Sequence, residues 1–255
     1  MADFDRFARF YDLDYEPFQD DVALYLGFAE RTGGPLLELG CGTGRLLLPL
    51  ARAGYAITGV DMSPRMLEVA QAKVDAAGLG DRITLVQADM RQVELAQQYR
   101  LAFIAINSFM HLLTMEDQIQ ALRTWRNLLL PGGLLIIDVF NPHPQGLLEA
   151  DGRIDLNGHW FDPATGAVVL KQTSRTLDDA RQLQHVMFIY DEVFPDGQLR
   201  RTLAPFQARY LHRFEGELLL DKAGFTPEQV YGSYDLDPYG SESERMIFVA
   251  RRSER

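Results

Sequence analysis

Pro35-Leu36-Leu37-Glu38-Leu39-Gly40-Cys41-Gly42-Thr43-Gly44 passes from a short apolar run into three alternating glycines, and Arg45-Leu46-Leu47-Leu48-Pro49-Leu50-Ala51 continues as an amphipathic stretch that Gly54 can close. The first run reads as a strand and the last as a helix. Glycine suits the turn between them because the backbone must bend sharply, partly through positive φ, and must let a ligand approach with no Cβ in the way. A nucleotide-cofactor loop has this shape, and so does an ordinary strand-to-helix connection.

Two further features bear on that choice. Tyr55-Ala56-Ile57-Thr58-Gly59-Val60 reads as the next strand and ends in Asp61, which follows Gly40 by 21 residues. A carboxylate there can accept hydrogen bonds from both ribose hydroxyls of a nucleoside lying across the strand ends. The sixth position of a Gly-x-Gly-x-x-Gly pattern is Arg45. That argues against a dinucleotide, whose pyrophosphate needs close helix approach, and for a nucleoside without one.

The rest of the chain extends this pattern. Ser63 is a good N-cap with Pro64 behind it, and Met66, Leu67, Ala70 and Val74 mark a helix face running to Gly78. Ile83 to Gln87 is a third strand delivering Ala88-Asp89-Met90 to the edge that holds Gly40 and Asp61; Asp89 could also be an N-cap. Leu101 to Ile106 is wholly apolar, as expected of a central parallel strand, and ends in Asn107-Ser108-Phe109-Met110-His111. Thr114 and Asp117 start a helix that Pro131-Gly132-Gly133 ends, and Leu134 to Phe140 is the fifth strand. Asn141-Pro142-His143-Pro144 reads as a turn closing it.

Ahead of this core, Phe4, Phe7, Phe10, Tyr11, Tyr15 and Phe18 recur mostly three or four apart, in a helical arm that either docks on the core or covers a ligand. A second helical stretch begins near Asp20 and ends at Gly33-Gly34. Behind the core, Arg153 to Phe161, Ala167 to Leu177, Leu183 to Phe194 and Leu199 to Leu211 alternate as strands. Helix Glu215 to Ala223 and strands Gln229 to Tyr231 and Arg245 to Ala250 close the chain.

Among 255 residues, 47% apolar and 24% charged indicate a globular chain with a large core rather than disorder. A net charge of −11 repels phosphate backbones, and no Lys/Arg cluster offsets it, so a nucleic-acid substrate is not expected. Cys41 is the only cysteine, which excludes an internal disulfide or a cysteine-rich metal site; no metal is expected. No run approaches a membrane span and the first residues lack a signal-peptide pattern, so the expected location is cytoplasmic.

Leu37 to Gly44, Gly59-Val60-Asp61-Met62-Ser63, Gln87 to Met90 and Leu130-Pro131-Gly132-Gly133-Leu134 together resemble, in order, the motifs of class I S-adenosylmethionine-dependent methyltransferases. The resemblance covers residues 36 to 140. It implies an α/β fold, a Rossmann-like doubly wound seven-stranded sheet with its last strand antiparallel, here with an antiparallel β insertion after strand five. The corresponding organisation is an arm at 1–34, a core at 35–150 and 212–255, and the insertion at 151–211. It implies S-adenosylmethionine as cofactor, bound by Glu38, Gly40, Cys41, Gly42, Gly44, Asp61, Met62, Ala88, Asp89, Met90 and Asn107, with Tyr11 from the arm. Asp89 would meet the adenine amine and the Met90 backbone the ring. His111, ordinarily titrating near neutrality, is the candidate proton acceptor, with a structural histidine as the alternative. The arm and insertion are similar in arrangement to small-molecule N-methyltransferases, which favours a small acceptor, nitrogen ahead of oxygen. The insertion is expected to cover the acceptor pocket, or to bury its apolar face in a homodimer. An NAD-type oxidoreductase and a non-catalytic nucleoside sensor are the rival readings.

Overall fold

The computed structural model describes residues 4–6, 8–15 and 17–253; Phe7 of the aromatic arm lies outside them. The elements run α1 (Ala8–Tyr15), α2 (Val22–Thr32), β1 (Leu36–Leu39), α3 (Leu47–Arg52), β2 (Ile57–Asp61), α4 (Pro64–Ala77), β3 (Ile83–Gln87), β4 (Tyr99–Ile104), α5 (Met115–Leu128), β5 (Leu129–Phe140) and α6 (Pro144–Ala150). They continue as β6 (Ile154–Asp162), β7 (Ala167–Asp178), β8 (Leu183–Val193), β9 (Leu199–Arg209), α7 (Arg213–Lys222), β10 (Phe225–Tyr231) and β11 (Arg245–Arg252).

Seven strands form one sheet in the order β10-β11-β5-β4-β1-β2-β3, with β11 antiparallel to both neighbours, as the sequence leads one to expect. The strand order reverses between β1 and β4, and a ligand crevice opens at the carboxyl ends beside such a switch point. Leu36 to Leu39 are all buried, as are Leu101 to Ile104 and Leu134 to Val139, because helices cover both faces. The caps that place the crossovers are those expected from sequence. Ser63 Oγ accepts from the Met66 amide at 3.1 Å, Gly78 ends α4 in the left-handed region, and Thr114 Oγ1 accepts from the Asp117 amide at 3.0 Å.

The four strands β6 to β9 form a separate antiparallel sheet. Their registers put Lys171, Thr173, Arg175, Val186, Phe188, Tyr190, Ala204 and Phe206 on one face. One end of that face packs on α1, with Phe10 stacked on Tyr190 at 4.4 Å, and the other end faces the strand ends of the core. The opposite face carries Ile154, Leu156, Phe161, Val168, Leu199 and Leu203 exposed.

Several boundaries differ from expectation, among them the start of β10 at Phe225 rather than Gln229. β4 stops at Ile104 because Ile106 and Asn107 take positive φ, 40° and 65°, which no strand can accommodate. β5 begins at Leu129, before the Pro-Gly-Gly run, through a register shift against Tyr99 and Leu101. α3 begins two residues late, since Arg45 and Leu46 still belong to the turn. Pro144 opens a short helix, α6, where only a turn is expected; proline at the first helical position was the available signal. Among the described residues no helix is long and apolar enough to cross a membrane.

Candidate functional site

Gly40, Gly42 and Gly44 all take positive φ, 69°, 53° and 80°, so the loop needs glycine for its backbone alone. Val60 O accepts from the Gly40 amide at 2.7 Å and from the Cys41 amide at 3.0 Å, which fastens the loop to β2. Asp61, at the end of that strand, accepts from the Gly42 amide at 2.8 Å and from the Ser63 amide at 2.9 Å. One carboxylate thus orders the two turns that bound the crevice. Burial pushes Asp61 above the usual carboxylate range, and those amide donors pull it back.

The arm lies over this floor. A Cβ on Gly42 would stand 3.7 Å from the Tyr11 ring, and Tyr11 stacks on Tyr15 at 4.6 Å. Asp12 accepts from Thr43 Oγ1 at 2.6 Å and pairs with Lys73 at 2.7 Å, and Asp5 accepts from Ser63 Oγ at 2.5 Å. On its other side α1 is tied to the second sheet by the Asp14–Lys171 and Arg9–Glu192 ion pairs. The sequence did not reveal what Arg45 does. It donates to both oxygens of the fully buried Asp21 at 2.6 Å and to Phe18 O at 3.0 Å, holding the start of α2 against the loop.

The loop opens into a cavity of about 1160 Å³. Tyr11, Gly40, Gly42, Asp61, Met62, Ala88, Asp89, Met90, Asn107 and His111 all line it, as do Phe188 and Phe206 of the second sheet and Leu147 of α6. Three expected cofactor residues do not. The Cys41 side chain is buried in the core, so close to Gly59 that a Cβ there would meet its sulfur at 2.8 Å. Gly44 faces Ala70, Leu47 and Leu48, closing the turn onto α3 and α4. Glu38 is buried beneath the loop, its Oε2 making no hydrogen bond and its carboxyl pushed far up by burial. An orphaned carboxyl oxygen under a glycine floor fits a polar ligand group arriving from above.

Electrostatics divide the wall. Asp89 is held below the usual range by the Arg91 guanidinium, which donates to it through Nη2 at 2.6 Å and to Asp117 at 2.9 Å. His111 touches Phe4 and Phe206 edge-on, with only Gln207 O 3.4 Å from Nδ1, and burial lowers it to about 4. The near-neutral value expected from residue type does not hold in these surroundings. Tyr11 and Tyr15 are pushed well above the ordinary phenol range by burial and stay protonated.

The strained corner at Ile106 and Asn107 has dedicated support. Asp138, fully buried in β5, accepts from the Ile106 amide at 3.1 Å, from Tyr234 Oη at 3.0 Å and from Arg245 Nε at 2.5 Å, while its backbone oxygen accepts from the Asn107 amide at 3.0 Å. Asn107 Oδ1 accepts from the Phe140 amide at 2.7 Å. A charged residue inside Leu134-Leu135-Ile136-Ile137-Asp138-Val139-Phe140 was the missed signal, since a buried carboxylate needs partners.

Comparison with known proteins agrees with this geometry. The family model described as "Methyltransferase domain" matches residues 36–133. A Cypemycin N-terminal methyltransferase from Streptomyces sp is 28% identical over 86% of this chain and 84% of its own. The CcbJ methyltransferase structure from Streptomyces caelestis is 27% identical, with a TM-score of 0.78, over 92% of this chain and 90% of its own. An S-adenosylmethionine-dependent methyltransferase structure from Clostridium acetobutylicum superposes with a TM-score of 0.81 over 98% and 99% of the two chains at 17% identity. Residues 36–133 thus match the methyltransferase-domain family, and the chain as a whole has the fold of the S-adenosylmethionine-dependent methyltransferases. It is a methyltransferase.

Proposed function

We propose that the protein methylates an amine nitrogen of a small molecule. The observation that carries this reading is the state of the groups nearest the strand ends: the histidine there is held neutral by burial and the wall carboxylates are tied to an arginine, while His143 and His185 line the cavity farther along. His111 sits at about 4, Asp89 and Asp117 are paired with Arg91, and the two arm tyrosines stay protonated. An amine with an ammonium pKa near 10 is free base in about one per cent of molecules at pH 8, and that fraction attacks with no base at all. An aliphatic hydroxyl, unlike a phenol, has no comparable ionised population. The name of the cypemycin N-terminal methyltransferase points the same way.

In this reading Asp61 receives the ribose hydroxyls, Met62 and Met90 flank the adenine, and Asp89 meets its amine. Glu38 takes a polar group of the methionine end through its free oxygen, with the Gly40 and Gly42 backbone beneath. When bound, S-adenosylmethionine supplies a methyl group already activated by a sulfonium charge. Tyr11 and Tyr15 exclude water and place π faces near that charge, an attraction of about 0.5–2 kcal/mol. The Ile106–Asn107 corner, Phe188 and Phe206 orient the acceptor, and His111 serves as a neutral wall. Alignment of two reactants is worth ~7–11 kcal/mol, which leaves little for a dedicated base to add.

The sequence offers a homodimer as the alternative to covering the pocket, through the Phe188 face; that face looks to the arm and the cavity, so a dimer would use the exposed outer face of the second sheet instead. Four strands about 4.8 Å apart and some 11 residues long present roughly 700 Å², close to the ~800 Å² per partner of a stable interface. Sedimentation of the wild type against Leu156→Lys and Leu203→Lys tests it; a monomeric wild type ends it. The nitrogen assignment is tested by giving the enzyme matched amine and alcohol acceptors. Methylation confined to the amines is expected, and methylation confined to the alcohols would overturn it.

A further inference from the structure

Arg175 is the cation on the cavity wall whose hydrogen-bonding capacity is unspent. It lies on β7 of the second sheet, and its side chain is 29% exposed. The pairing registers set it opposite Val186, which in turn faces Phe206, on the sheet face that looks toward the core strand ends. Among the described residues its guanidinium donates no hydrogen bond. The nearest carboxylate, Asp155, is 3.6 Å away, beyond hydrogen-bonding reach, and is itself 46% exposed. Arg91, the other arginine on the wall, is bound to Asp89 and Asp117. A half-buried guanidinium has five N–H donors in a fixed fork, and leaving them unmatched is costly unless a ligand or water takes them.

Its place in the cavity is defined by the arm. Tyr11 covers Gly42, Tyr15 stacks on Tyr11, and Lys171 Nζ sits 5.2 Å from the Tyr15 ring, two pleat repeats from Arg175 on the same face. The Arg175 charge is felt at both. Burial is the main force lowering Lys171, and Arg175 adds to it against the pull of Asp14. Arg175 thus stands beyond the tyrosine pair as seen from the glycine loop, beside the end of α6, where its carbonyl accepts from the Gly152 amide at 2.9 Å.

We propose that Arg175 is an anion subsite for the acceptor, holding a carboxylate or phosphate on the same molecule that presents the amine. This rests on the reading of the cavity as an amine acceptor pocket. The volume of about 1160 Å³ exceeds the usual ~300–1,000 Å³ for one small ligand, so an acceptor reaching from the loop to β7 has room beside the cofactor. A single planar fork matches a carboxylate bidentately; a diphosphate would call for a further cation with donors to spare, and Arg91, the other arginine on the described wall, is engaged by Asp89 and Asp117. The favoured class is therefore an amino acid or a similarly small amino carboxylate.

The test uses amino acids of increasing apolar side chain, their amides, their decarboxylated amines and amino-alkyl phosphates, with the matching hydroxy acids and hydroxy amides alongside. Methyl transfer is read for each, and acceptor binding by calorimetry with S-adenosylhomocysteine present. Wild type should favour acid over amide by about ten- to a hundredfold. Arg175→Gln should collapse that ratio toward one, Arg175→Lys should keep part of it, and S-adenosylhomocysteine affinity should stay within about twofold. A ratio for the phosphates exceeding that for the carboxylates would identify the phosphate as the anion. An acid-to-amide ratio near one in wild type, failure of every acid to bind, or a cofactor affinity that falls in Arg175→Gln would overturn the proposal. Methylation of the hydroxy series alone would overturn the nitrogen reading separately, with Arg175 still judged by the acid-to-amide ratio.

Discussion

The Asp138 carboxylate, fully buried in β5, meets Arg245 Nε of β11 at 2.5 Å and at the same time accepts the Ile106 amide at 3.1 Å. The pair spans two antiparallel neighbours and supports a left-handed corner on the cavity wall. Isoleucine at a φ of 40° is β-branched backbone strain of order 1–3 kcal/mol, tolerated only where the surroundings over-determine it.

Asp138→Ala should therefore destabilise the protein by about 3–5 kcal/mol, because Arg245 would be left buried without its partner. Asp138→Asn retains an acceptor for the Ile106 amide and should cost less, yet lower turnover more than cofactor affinity. Denaturant titration and calorimetry with S-adenosylhomocysteine separate the two effects. An Asp138→Ala protein of wild-type stability would show that the corner is held by other contacts.

Gly42→Val should abolish cofactor binding while leaving the fold largely intact. The φ of 53° costs a side chain roughly 1–2 kcal/mol, and the added carbons would fill the space under the Tyr11 ring. Circular dichroism checks the fold and calorimetry the binding. Normal binding by the folded variant would reduce the loop to a connection.

Asp61→Ala should weaken S-adenosylhomocysteine binding by one to two orders of magnitude, since hydrogen bonds to a charged group are worth ~1.5–3 kcal/mol. Part of the loss would come from the loop itself, because the same carboxylate orders the Gly42 and Ser63 amides. Unchanged affinity would place the ribose elsewhere.

His111 gives a pH prediction with a definite sign. Burial lowers it from 6.5 to about 4, so between those values the unfolded chain binds a proton that the folded chain refuses. Stability is present in full above pH 6.5 and is lost as pH falls toward 4, by about 2 kcal/mol once partial exposure is allowed for. His111→Gln should flatten that part of the stability profile. The pH dependence of turnover should run parallel in the two proteins, following the acceptor's ammonium. A turnover inflection between pH 6 and 7 that vanishes in the variant would restore His111 as a proton acceptor.

The core was legible because its signals are local. Glycine at three positive-φ positions, an acid at the end of β2 and unbroken apolar strands each follow from residue type and spacing. The four strands of the second sheet were legible from alternation and their turn residues. What escaped depends on partners far apart in sequence. Arg45 looked like a comment on the ligand, yet its work is done on Asp21. Asp138 looked like an interruption of a strand until Arg245 and Tyr234 closed around it. Cys41 and Gly44 belong to the motif, but their side-chain directions face the core, which spacing cannot reveal. The His111 shift comes from burial among partners that include Phe4 and Phe206, each about a hundred residues from it along the chain.

The most direct measurement is incubation of the enzyme with methyl-labelled S-adenosylmethionine and a small-metabolite extract, with the labelled product identified by mass spectrometry and nuclear magnetic resonance. The expected result is one labelled small molecule carrying the new methyl group on nitrogen, its formation abolished by Gly42→Val. Label appearing on oxygen or carbon, or only on macromolecules, would contradict it.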